Sequence, residues 1–115
     1  MGITVYGIPS CGTVKKARAW LTAQGLLYEW VDLRETAPGA EQIGEWLKVF
    51  GFKPMRNTSG GAYRALGDEK NTWGDAEWGK AFAADAMLLK RPVVLVDGNP
   101  ALVGFKEPDY VAHFK

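Results

Sequence analysis

The residue best placed to do chemistry is Cys11, the only cysteine in the chain. A lone cysteine inside a cell is often a small buried hydrophobe, and that reading stays open beside a reactive one. The spacing around it favours reactivity. Gly7, Pro9, Ser10 and Gly12 make a tight turn, and from Thr13 a helical pattern begins, with Val14, Ala17 and Leu21 on one face and Trp20 beside them. Cys11 then falls at a helix start, where unpaired backbone N–H groups and the positive end of the helix dipole favour a thiolate over a thiol. Lys15 and Lys16 add positive charge one turn further on; lysines on an exposed helix face are also commonly just solvated.

The other reactive groups are few. With one cysteine and one histidine, His113, the chain has no metal-ligand cluster and no intramolecular disulfide, so a reducing compartment, the cytoplasm, is expected. A net charge of +1 gives no global field for nucleic acid or an anionic membrane, which leaves small molecules or thiols as the expected partners. The longest apolar stretches, near Met87 to Leu89 and Val93 to Val96, are too short to span a bilayer. No secretory leader is expected before the first strand.

The elements that must position Cys11 follow from periodicity. Ile3 to Tyr6 alternates as a short strand. The helix after Cys11 should stop at Gln24-Gly25, and Leu26 to Leu33, rich in aromatic and branched residues, reads as a second strand, parallel to the first through a right-handed crossover. Ile43, Trp46, Leu47 and Phe50 recur at i, i+3, i+4 and i+7, the pattern of an amphipathic helix that Gly51 ends. Phe52 to Gly67 is irregular, with a short helical turn around Tyr63 to Leu66. Its Asn57-Thr58-Ser59-Gly60-Gly61 run can present N–H groups to an anion, or be simply a turn.

Asp75 can cap a helix carrying Trp78, Phe82 and Ala86. Val93 to Val96 and Ala101 to Phe105, joined by Asp97-Gly98-Asn99-Pro100, read as a hairpin. Pro108 suits the first turn of a last helix, Glu107 to Phe114, whose Tyr110, Val111 and Phe114 would cover a sheet face. At 115 residues this makes one α/β domain, a βαβ half and a ββα half with a helical insertion at about 40–89.

With that order and that cysteine, the whole chain resembles a thioredoxin-like fold protein of the arsenate reductase (ArsC) superfamily. The resemblance rests on Tyr6 through Ala17, Asn57 through Arg64, Lys90-Arg91-Pro92 and Val103-Gly104-Phe105. The lysine pair, the asparagine-led loop and the Gly-Phe strand end are most similar to the YffB-like branch, related to the Spx regulators. The family implies Cys11 as nucleophile in a turn, Gly12, Thr13, Val14 and Lys15, whose N–H groups form an anion nest for an oxyanion or for glutathione. The Thr13 hydroxyl is a further donor. Arg91, on its own an ordinary surface arginine, matches the arginine that reaches the cysteine across the cleft. Pro92 matches the cis-proline that faces it. Asn57 either orients a ligand at the cleft edge or satisfies its own turn.

The departures are equally specific. Arsenate reductases of this type carry a histidine four residues before the cysteine, where Gly7 stands here. They use three arginines, of which only Arg91 is kept: Asn57 occupies the first position, beside Arg56, and no arginine stands at Gly104-Phe105. Losing two cations that bind a compact dianion removes charge-assisted hydrogen bonds of about 1.5–3 kcal/mol each, which argues against arsenate. Spx regulators commonly carry a CxxC pair, and Val14 stands where the second cysteine would be. The expected function is therefore that of a thiol reductase or transferase with glutathione as co-substrate and second thiol, in which the Cys11 thiolate attacks a disulfide, an oxidised group or an activated substrate; glutathione or a thiol protein is the expected partner, with a protein as one candidate substrate. The alternative is a non-catalytic, Spx-like module that grips a protein partner, as Spx regulators do RNA polymerase.

Overall fold

The structure is a computed structural model that describes residues 1–115. In chain order its elements are β1 (Ile3–Gly7), α1 (Gly12–Ala23), β2 (Glu29–Asp32), α2 (Ala40–Phe50), α3 (Phe52–Met55), α4 (Gly61–Arg64), α5 (Asp75–Ala84), β3 (Val93–Val96), β4 (Asn99–Val103) and α6 (Glu107–Phe114). Single turns of 3₁₀ helix lie at Asp68–Thr72 and Ala86–Leu88. No helix is long and apolar enough to cross a membrane. The chain divides into two compact units, Met1–Thr36 with Arg91–Lys115, and Ala37–Lys90.

The first unit holds a four-stranded sheet in the order β2-β1-β3-β4. β1 runs parallel to β2, with Tyr6 opposite Val31, and antiparallel to β3, with Tyr6 opposite Val93. This is the thioredoxin-like sheet implied by the order βαβ then ββα. Alternation decides the core: Ile3 and Val5 of β1 join Ala17 and Leu21 of α1, Val94 of β3 and Tyr110 of α6, all nearly inaccessible to solvent. α1 ends as its Gln24-Gly25 stop requires. Gly25 has φ +72°, and the N–H groups of Leu26 and Gly25 return to the carbonyls of Leu21 and Thr22, both at 3.0 Å, which caps the helix with left-handed glycine.

Two boundaries and one buried face differ from expectation. β2 is shorter than Leu26 to Leu33 and begins at Glu29, because Leu26 is taken up in the helix cap. The hairpin turns earlier, over Asp97 (φ +52°) and Gly98 (φ +82°), so that β4 starts at Asn99 and includes Pro100. A proline is tolerated there because β4 is an edge strand and the ladder is irregular opposite Leu95. In α6 Tyr110 is buried and Phe114 half-buried, but Val111 lies off that stripe and is exposed.

In the second unit α2 buries Ile43, Trp46 and Leu47, and α5 buries Trp78 and Phe82. The two helices meet closely: a Cβ on Gly79 would stand 3.1 Å from Cδ1 of Leu47. The cap of α5 is Gly74, whose N–H donates to Glu77 Oε1 at 2.8 Å, rather than Asp75, which accepts the Phe52 N–H at 3.1 Å. Ala86 falls beyond the helix, in the second 3₁₀ turn.

Candidate functional site

Cys11 is the N-cap of α1, with extended backbone (φ −81°, ψ 124°), and its carbonyl accepts the first helical bond from Lys15 N–H at 3.0 Å. Its own N–H closes the preceding turn on Ile8 O at 3.3 Å. The side chain, half-buried, closes no conventional cap as a thiol. As a thiolate it is well served. Burial opposes the charge and is the largest single influence, but the N–H groups of Val14 and Thr13 and the hydrogen bond and charge of Arg91 outweigh it, and the thiol is held below its ordinary value.

Arg91 comes to the sulfur from the segment that leads into β3, half-buried, and the Arg91-Pro92 peptide is cis. Pro92 is buried, and its carbonyl accepts from Gly104 N–H at 2.8 Å. The carbonyl of Gly104 in turn accepts the Tyr110 hydroxyl at 2.9 Å, in the interior. The cis segment is thereby tied to the end of β4 and to α6.

Of the turn residues, Thr13 and Val14 contribute backbone N–H groups to the sulfur. Gly12 is exposed, with open space where a Cβ would point. Lys15 and Lys16 are exposed on α1. Asn57 lies in the second unit and is engaged in its own turn, its Oδ1 accepting from Ser59 Oγ at 3.0 Å and Ser59 N–H at 3.3 Å. Arg64 Nη1 closes the same turn on Ser59 O at 2.8 Å.

Gly7 carries a role that its identity alone did not disclose. A Cβ there would stand 2.8 and 3.0 Å from the two methyls of Val14 and 3.3 Å from Cη2 of Trp30, so the volume of a side chain at position 7 is already filled. Trp30 and its neighbour Arg18 were also not singled out by sequence. The signal was present in the i, i+4 spacing of Val14 and Arg18 on α1 and in the strand alternation that sets Tyr28 and Trp30 on one face.

The motif and the geometry agree with what comparison with known proteins finds, since a model of the ArsC family matches residues 6–113. The chain belongs to the ArsC family. The uncharacterized protein YusI of Bacillus subtilis is 34% identical over 114 residues, covering 96% of each chain. The solved structure of a YffB protein superposes with a TM-score of 0.88 at 32% identity, covering 96% of both chains. The global transcriptional regulator Spx of Lactiplantibacillus plantarum is 27% identical over 109 residues, covering 93% of this chain and 82% of the regulator. This ArsC-family chain therefore lies in the YffB/Spx-like branch, and the thioredoxin-like fold is common to it and the YffB structure.

Proposed function

We propose that this ArsC-family chain is a cytoplasmic thiol reductase or transferase that uses glutathione as co-substrate. The observation that carries the reading is the place of Cys11 at the N-cap of α1, where the Val14 and Thr13 N–H groups and Arg91 hold its thiol below the ordinary value. A thiolate held this way attacks one sulfur of a disulfide, such as a protein thiol capped by glutathione. The Cys11–glutathione S–S bond forms, the original S–S bond breaks, and the protein thiolate leaves and takes a proton from solvent. A second glutathione thiolate then attacks the glutathione sulfur of the mixed disulfide, releasing oxidised glutathione and the Cys11 thiolate. Each exchange breaks one S–S bond and forms one, and overall one glutathione thiol is consumed as the protein–glutathione disulfide is converted to the protein thiol and oxidised glutathione, so the electrons balance. The second thiol comes from outside because the chain holds one cysteine.

Arsenate fits this site less well. The histidine of true arsenate reductases would need the space at position 7 that Val14 and Trp30 fill, and Asn57, where the first of their arginines would stand, carries no charge and is engaged in its own turn with Ser59.

The similarity to Spx supports a second reading, a module that binds a protein without turnover. One experiment separates the two: the rate of Cys11 alkylation against pH, with and without glutathione disulfide, for the natural chain and Arg91→Ala. Thiol catalysis predicts a titration well below about 8.5, raised in Arg91→Ala, and a Cys11–glutathione mixed disulfide seen by mass. An ordinary titration, unmoved by Arg91→Ala, with no mixed disulfide, overturns catalysis in favour of the binding module.

A further inference from the structure

We propose that Trp30, clamped by Arg18, is a positioning residue for the Cys11–Arg91 pair, fixing the first turn of α1 against β1. The inference rests on the thiol reading above.

The two members of the pair are held by different means. Arg91 precedes β3, which is fastened to β1 by the hydrogen-bonded ladder that sets Val93 opposite Tyr6. Cys11 rides on α1, which is joined to β1 by the turn that Cys11 N–H closes on Ile8 O and is otherwise seated on the sheet by side-chain packing, without a ladder. Whether the sulfur and the guanidinium meet is therefore decided by the seat of α1. At the Cys11 end that seat is Gly7, where the Val14 methyls and the Trp30 ring edge press on the same point, 2.8 and 3.3 Å from where a Cβ would stand. One turn along α1, the Arg18 guanidinium carbon stands 4.0 Å from the Trp30 ring centroid, and Arg18 Nε donates to Tyr28 Oη at 2.9 Å. Trp30 thus lies beside Gly7 at the point that the Val14 methyls also approach, and it packs directly on Arg18 one turn further along α1. Val14 is fully buried, so its methyls have little room to shift unless the packing around them changes. A shift of Val14 carries with it the N–H that stabilises the sulfur and the backbone of Cys11 itself. The guanidinium on the indole face is a cation–π contact, which adds to the burial of the ring.

The test is the pH profile of Cys11 alkylation in folded Trp30→Leu, Trp30→Phe, Arg18→Met and Arg91→Ala, and in Trp30→Leu combined with Arg91→Ala. Trp30→Leu is expected to lower the rate near pH 6 about three- to tenfold, the change in thiolate fraction for a rise of half to one pH unit. Trp30→Phe keeps a ring in place and recovers most of the rate, and Arg18→Met, which preserves the apolar stem, falls between. Because the effect runs through the pair, Trp30→Leu adds little once Arg91 is gone. A folded Trp30→Leu with the natural profile, or one whose loss is undiminished in the Arg91→Ala background, overturns the inference while leaving the thiol reading standing. An ordinary profile in the natural chain overturns the thiol reading and this inference with it. Should Trp30→Leu fail to fold, Arg18→Met decides by the same two criteria.

Discussion

Arg91 and Cys11, drawn from opposite ends of the chain, meet at one sulfur, and the arginine both hydrogen-bonds the thiolate and supplies its countercharge. The folded thiol therefore ionises at lower pH than the thiol of the unfolded chain. Between those two values the unfolded chain holds more protons, so stability rises with pH across that window; the contribution is complete above the unfolded value and is lost as pH falls through the folded one. The stability advantage of the natural chain over Cys11→Ser should grow as pH rises toward the unfolded thiol's value and level off by about pH 9. Urea unfolding across that range checks it, and the growth should shrink in the Arg91→Ala background. A constant difference would mean that Cys11 ionises alike folded and unfolded.

The filled space at Gly7 makes a stability prediction. Gly7→Ala forces a methyl to within 2.8 and 3.0 Å of the Val14 methyls, with the Trp30 edge at 3.3 Å on the other side. Overpacking of this kind costs about 1–3 kcal/mol. Gly12→Ala is the control, since a Cβ there meets nothing within 4 Å, and replacing a glycine by alanine at a site that accommodates it stabilises by about 0.4–1 kcal/mol through the unfolded chain. Denaturant unfolding of the two variants should move their midpoints in opposite directions.

These contrasts show what could be read from sequence. The seat of Cys11 at the start of α1, the amphipathic stripe Ile43, Trp46 and Leu47, and the last helix from Glu107 to Phe114 follow from local spacing, and the structure has them there. The meeting of Arg91 with the sulfur depended on family resemblance, because no periodicity links residues so distant in sequence. Gly7 read as a turn residue, while its steric role is set by side chains from α1 and β2. The hairpin moved because the Asp97-Gly98 pair turns in two residues, and Asp75 lost the cap to Gly74 because its carboxylate is engaged by Phe52. Local rules name the candidates for such positions, and tertiary partners choose among them.

Trp78 is the centre of the aromatic cluster in the second unit, with Phe52 and Tyr63 stacked at 6.1 and 6.0 Å and Trp73 and Phe82 at 5.1 and 5.6 Å. It is fully buried, and its indole N–H has no hydrogen-bond partner. Trp78→Ala should cost about 3–5 kcal/mol through the cavity that it leaves. Trp78→Phe also removes a buried donor that gains nothing from folding, a relief of about 1–3 kcal/mol set against its smaller cavity. The Phe variant should therefore lose less than half the stability that the Ala variant loses. Equal losses in thermal or urea unfolding would mean that the indole N–H is satisfied in solution.

Tyr110 gives the opposite pH signature to Cys11. Its hydroxyl donates to Gly104 O at 2.9 Å in the interior, and burial pushes its ionisation well above that of a free tyrosine. Above about pH 10 the unfolded chain loses this proton while the folded chain keeps it. The unfolded state then binds fewer protons, so stability falls as pH rises; the contribution is fully present below the unfolded value and drains away toward the folded one. Tyr110→Phe removes the buried hydrogen bond and leaves the Gly104 carbonyl unsatisfied, at a cost of about 1–3 kcal/mol at neutral pH. The two proteins share every other titrating group, so the difference between them isolates Tyr110. That difference should narrow between about pH 10 and the onset of alkaline unfolding, as followed by urea titration at each pH. A difference that stays constant would place the Tyr110 hydroxyl in contact with water, and with it the link from α6 through Gly104 to Pro92.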